Sequence, residues 1–83
     1  VWTGSQIEGQ NNARFGILYA GAYESVDYAA IDPNAIINYI LPASNFGTGS
    51  LIGFITAEGR RGVMRVANIN GTSLTVSYRV YSN

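Results

Sequence analysis

The sequence reads as a mainly β domain, a small antiparallel β-sandwich or partly closed barrel with one short helix or turn near residues 33–41. Three observations carry this reading. Residues 72–81 alternate, with Leu74, Val76, Tyr78 and Val80 on one side and Ser73, Thr75, Ser77 and Arg79 on the other. The Asn70-Gly71 pair before them is a strong short-range hairpin signal. Residues 50–56 (SLIGFIT) are apolar on both faces, as a strand in the middle of a sheet would be.

The remaining elements follow in chain order. Residues 1–12 are polar and glycine-containing, with a strand-like piece around Gln6 to Glu8. Residues 14–20 (RFGILYA) read as a strand with Phe15, Ile17 and Tyr19 on one face and Gly16, Leu18 and Ala20 on the other. Gly21 punctuates it, and residues 22–30 form a weaker strand with Val26 and Tyr28 on one face. Asp32-Pro33-Asn34 is a helix-start signal, because Asp accepts from orphan amides and Pro suits the first helical position. Ile36, Ile37, Ile40 and Leu41 would then share a helical face up to Pro42, although isoleucine favours strand. Residues 43–49 are a loop, residues 57–62 (AEGRRG) a turn, and residues 63–68 the first strand of the hairpin.

The hairpin register can be argued from burial. A two-residue Asn70-Gly71 turn would set Arg65 opposite Val76 and leave Met64 and Val66 on the polar side. One extra residue exchanges the faces. A three- or five-residue loop, with Gly71 in the left-handed region as in a bulged turn, would place Met64 and Val66 with Leu74, Val76 and Tyr78.

Composition narrows the functional classes. The 83 residues make one domain, residues 1–83. They contain no cysteine and no histidine, which removes disulfides and argues against a structural zinc site. Apolar residues reach 47% and charged residues 12%, against about 25% charged in an ordinary domain. Five arginines balance five acids and lysine is absent, so the net charge is zero. That surface repels its neighbours weakly and gives no electrostatic case for nucleic acid or an anionic membrane. No run approaches the roughly 20 apolar residues of a membrane-spanning helix. A start at Val1 reads as a mature, processed or excised terminus.

Residues that could carry chemistry are few. Without His or Cys, the acids are Glu8, Glu24, Asp27, Asp32 and Glu58. Glu24 with Asp27 is a formal glycosidase-like pair, but closeness in sequence makes no site. Asp27, Asp32 and Asn34 offer a few oxygens for calcium without EF-hand spacing, and the glycines match no phosphate loop. No cofactor or metal is implied. Arg60-Arg61 sits at a turn, as a processing site or contact for an anionic partner, or as a solvated tip that discourages edge pairing. Asn70-Gly71-Thr72 matches a glycosylation sequon that turn chemistry already explains. Trp2 with tyrosines such as Tyr23 and Tyr81 could stack on sugar, although half-buried sheet residues are the plainer reading.

Residues 54–80 (FITAEGRRGVMRVANINGTSLTVSYRV) resemble the C-terminal β-rich region of small secreted or lipid-anchored surface proteins of Bacteroidetes. These end in a basic-Gly-apolar strand, a glycine-containing turn and an alternating terminal strand. Arg60, Arg61 and Gly62 stand at the basic pair and glycine, and residues 11–35 are similar to the earlier strand and Ala/Asp/Pro turn. The likeness covers about half the chain through weakly specific motifs. The family's members are longer and carry an N-terminal signal not found in these residues. The resemblance implies a β-rich surface-exposed domain and transfers no functional residue.

The expectation is a non-enzymatic structural or assembly domain, extracellular or at the cell surface, acting through protein–protein contacts. Its expected partner is itself or another surface or assembly protein. The alternatives are a carbohydrate-binding module using Trp2 and tyrosines, and a virion decoration protein. The contact candidates are Trp2, Tyr23, Tyr81, Arg60 and Arg61. Lysine, the usual guard of an exposed strand edge, is missing; Arg60, Arg61 and Arg79 are the basic residues left for that role.

Overall fold

The apolar run at residues 51–55 takes the place its pattern demands, between two neighbouring strands. The computed structural model describes residues 1–9, 12–18, 23–26 and 28–81. Among them the strands are β1 (Gln6–Glu8), β2 (Arg14–Leu18), β3 (Ile40–Pro42), β4 (Leu51–Ile55), β5 (Arg61–Asn70) and β6 (Ser73–Val80). A four-stranded sheet runs in the order β2-β4-β5-β6, and β1 pairs with β3 in a two-stranded sheet. Every pairing is antiparallel. The described residues close no barrel, and the arrangement is β-sandwich-like.

Register explains why the larger sheet is apolar on both sides. Ile17, Ile52, Met64 and Tyr78 form one cross-strand row, and Phe15, Phe54, Gly62 and Val80 the next on the same face. This face packs against the β1–β3 sheet through a cluster of Ile7, Phe15, Leu41, Ile52 and Val66, with Trp2 and Phe46 beside it. The opposite face carries the rows Gly16, Gly53, Val63, Arg79 and Leu18, Leu51, Arg65, Ser77. There Leu51, Ile55 and Val63 pack against Val26, Ile31 and Ile36. Ile31, Ile52, Val63 and Val66 are wholly inaccessible to solvent. Burying a side chain of that size stabilises by about 1.5–3 kcal/mol.

Two glycines make the second layer possible. A Cβ on Gly16 would lie 2.8 Å from the Ala35 carbonyl oxygen and 2.8 Å from Ile36 Cδ1. One on Gly53 would lie 3.0 Å from the same Ile36 atom. The neighbouring glycines form a trough in the sheet, and Ile36 fills it.

Residues 36–41 differ from the helical expectation. Asp32 does accept from the Asn34 amide, through Oδ1 at 2.9 Å, and its carbonyl accepts from Ala35 and Ile36 at 2.9 and 3.1 Å. Only a turn follows, however, and the chain then becomes extended. It leaves one face at Ile36, passes the edge of β2 at Asn38 and enters the other face at Leu41. Wrapping an edge serves both cores, which a helix with a single apolar stripe could not do. Ile37 and Ile40 consequently lie outside, 58% and 50% exposed.

The strand expected at residues 22–30 is replaced by 3₁₀ turns at Tyr23–Ser25 and Tyr28–Ala30, with Val26 buried between them. Residues 19–22 and 27 lie outside the described residues. In the hairpin, Met64 and Val66 do share a face with Leu74, Val76 and Tyr78. The extra residue that sets this register sits elsewhere than expected. The loop is the two-residue Gly71-Thr72, closing on Asn70 opposite Ser73, and a bulge at Ala67 supplies the shift. Gly71 has φ 53°, the left-handed value expected of it.

Candidate functional site

The two ends of the four-stranded sheet are finished differently. At the β2 end the chain crosses its own edge and pairs with it at Phe15. The Phe15 amide donates to the Asn38 carbonyl at 2.7 Å, and the Asn38 amide donates back to Phe15 at 3.0 Å. Asn38 Nδ2 adds a bond to the same Phe15 oxygen at 3.3 Å.

At the β6 end no described strand follows. Which backbone groups are open there follows from the ladder. Val66 donates to the Ser50 carbonyl at 3.0 Å and accepts from the Gly49 amide at 2.7 Å, so its backbone groups point away from β6. Antiparallel pairs alternate between bonded and non-bonded. Val63 and Arg65 therefore bond to their partners Arg79 and Ser77, and Val76, Tyr78 and Val80 turn their N–H and C=O groups outward. Beyond the bulge the tight turn makes Asn70 and Ser73 a bonded pair, which turns Leu74 outward as well. Leu74, Val76, Tyr78 and Val80 thus present a continuous polar backbone edge. Their side chains all lie on the face shared with Met64 and Val66. Tyr78 is 67% exposed and Val80 43%.

Strand edges are ordinarily protected by Pro, by a bulge or by a charged side chain. β6 contains no Pro, and the bulge lies on β5. Its charge, Arg79, is committed inward. Arg79 Nη2 donates to the carbonyl oxygens of Tyr23 and Val26, the latter at 2.6 Å. The guanidinium lies 4.5 Å from the centre of the Tyr23 ring and 5.8 Å from that of Tyr81. Hydrogen bonding with the Tyr81 hydroxyl, outweighing partial desolvation, raises the Arg79 pKa above the ordinary arginine value. Arg79 is thus a clamp that holds the 3₁₀ segment onto the sheet. Sequence alternation placed it on the correct face, but nothing in the sequence signalled the carbonyls it would meet.

The sequence-derived contact residues fall into separate places. Tyr23 and Tyr81, both half-buried, come together at Arg79. The Tyr81 hydroxyl donates to the Val26 carbonyl at 2.6 Å, and Arg65 lies 5.5 Å from the Tyr23 ring centre. Trp2 is on the opposite face. Its Nε1 donates to the Gly71 carbonyl at 3.2 Å, and its ring meets Phe46 edge-on with centroids 6.3 Å apart. Arg60 is exposed at the turn before β5, and Arg61 opens that strand half-buried. The five residues form no common site. Leu74, Val76, Tyr78 and Val80, which the sequence marks as an alternating strand and not as contact candidates, form the open edge. Their alternation was visible, but the position of β6 at the sheet's end was not.

An open groove of about 520 Å³ lies beside the β2 edge, lined by Gly16, Ile17, Ala35, Asn38, Leu41 and Asn45. Among the described residues its polar side chains are the two amides, and no described titratable group lines it. Among the described residues no cluster of acids could hold a metal ion. Glu24 is exposed, and its formal companion Asp27 lies outside the described residues. No described helix is long and apolar enough to cross a membrane.

No protein-family model, curated protein or solved structure matches the chain.

Proposed function

We propose that this protein is a non-enzymatic contact domain that joins other protein through the open edge of β6, at a cell surface or outside the cell. The observation that carries the proposal is the outward backbone of Leu74, Val76, Tyr78 and Val80, which pairs with no described strand and is left without a charged guard because Arg79 is turned inward. An incoming strand would satisfy those groups and cover the exposed side chains of Tyr78 and Val80, which is the physics of β-strand addition. Zero net charge and 12% charged residues support association, since neither long-range repulsion nor a dense hydration layer opposes it. The extracellular setting rests on composition: no lysine, six tyrosines and ten glycines. The carbohydrate reading gains less, because Trp2, Tyr23 and Tyr81 each spend their rings on internal packing.

Sedimentation velocity across concentration tests this. Wild type should shift to larger species as concentration rises. Tyr78→Pro, which removes one outward N–H and no bond to β5, should stay monomeric. Identical behaviour of the two proteins would remove β6 as the contact.

A further inference from the structure

We infer that the strand added to β6 is the β6 of a second copy, antiparallel and centred on Ser77, so that two four-stranded sheets join across a two-fold axis. This inference rests on the contact function proposed above and specifies its partner and register.

The geometry begins with which residues face outward. In an antiparallel pair, outward residues bond only to outward residues of the partner strand. Centring the two-fold on Ser77 sets Val76 opposite Tyr78 of the second copy and Leu74 opposite its Val80. Every outward N–H and C=O of both strands is then used. A two-fold at Thr75 or Arg79 shortens the overlap and strands at least one outward residue.

Side chains select the same register. On one face the opposed pairs are Val76 with Tyr78 and Leu74 with Val80, apolar throughout. They would cover the residues now 67% and 43% exposed. Aromatic and β-branched residues in opposition are favourable cross-strand pairs. On the other face Ser77 meets Ser77, and Thr75 meets Arg79. The one charge of β6 therefore faces a neutral hydroxyl. A two-fold on Arg79 would instead oppose two guanidinium groups, which is destabilising. The Ser77 register sets no like charges opposite one another, and a chain of zero net charge does not repel its copy. A foreign strand would need a matching apolar alternation; β6 supplies one itself.

Ser77 gives a direct test, because the chain contains no cysteine. On the two-fold, the two Ser77 residues form a non-bonded pair with Cα atoms about 4.5 Å apart, inside the roughly 4.4–6.8 Å span of a disulfide. Ser77→Cys under mild oxidation should form a covalent dimer at least about tenfold faster than Thr75→Cys, whose copies would be held apart. Equal rates for both variants would overturn the register. An associating wild type whose Ser77→Cys form does not cross-link would overturn β6 self-pairing while leaving a contact function through another surface. A monomeric wild type with no cross-linking would remove both. Should Ser77→Cys lose the sheet's circular dichroism, a mixture of isotope-labelled and unlabelled wild type decides. An intermolecular nuclear Overhauser effect between Tyr78 and Val76 supports the pairing, and its absence in an associated sample overturns it.

Discussion

The Arg79 guanidinium stacks over Tyr23, 4.5 Å from the ring centre, and the same side chain bonds the Tyr23 and Val26 carbonyls. One residue of the terminal strand thereby fixes a segment more than fifty positions earlier in the chain. The planar fork can stack and donate together, which an ammonium cannot.

Arg79→Lys should therefore behave like Arg79→Ala rather than like wild type, both melting at lower temperature. The contribution should also be independent of pH across the neutral range. The folded-state pKa is raised, so the stabilisation is fully present below the ordinary arginine value and lost only as pH climbs through the folded one. Thermal melts of the three proteins at acid, neutral and mildly alkaline pH check this. Rescue by lysine, or a difference between wild type and Arg79→Ala that disappears within that window, would contradict it.

The glycine trough makes a paired expectation. Gly16→Ala forces a methyl group to within 2.8 Å of the Ala35 carbonyl, which is backbone and cannot rotate aside. It should cost about 1–3 kcal/mol, as overpacking does. Gly47 has nothing within 4 Å of its would-be Cβ and no positive φ. Gly47→Ala should be neutral or stabilising by up to about 1 kcal/mol through the unfolded chain. Urea denaturation separates the two; equal effects would mean that residues 35–36 do not lie against the sheet.

Asp32 caps a turn rather than a helix. Asp32→Ala loses the 2.9 Å bond from the Asn34 amide. Because Asp32 and Asn34 are both exposed, water replaces the oxygen, and the loss should be about 0.5–1 kcal/mol, the lower part of the capping range. Asn in place of Asp keeps an acceptor and should recover most of it. Chemical denaturation of the two variants measures this, and equal losses would show that the side-chain bond contributes nothing.

How much was legible in the sequence depended on how local the cause was. The alternation of Leu74 to Val80, the two-faced apolar run at residues 51–55 and the Asp32 cap all act within a few residues, and each appears in the structure. Ile36 and Leu41 were harder. Their spacing fits a helical stripe, but the two cores they enter exist only once β2 has paired, so nothing nearby distinguishes a helix from a wrap around an edge. The bulge at Ala67 was foreseen as a parity requirement and misplaced into the loop, since burial fixes the faces and leaves open where the extra residue sits. Arg79 read as a guard because its acceptors, two backbone carbonyls, are silent in any sequence.

The open edge itself is tested most directly by residue-resolved amide exchange on β6 at low and high protein concentration. In dilute solution the amides of Thr75, Ser77 and Arg79, bonded to β5, should exchange slowly, and those of Leu74, Val76, Tyr78 and Val80 quickly. Raising the concentration should slow that second set selectively and leave the first unchanged. Rapid exchange of the outward amides at every concentration, in a sample that nonetheless associates, would contradict contact through β6.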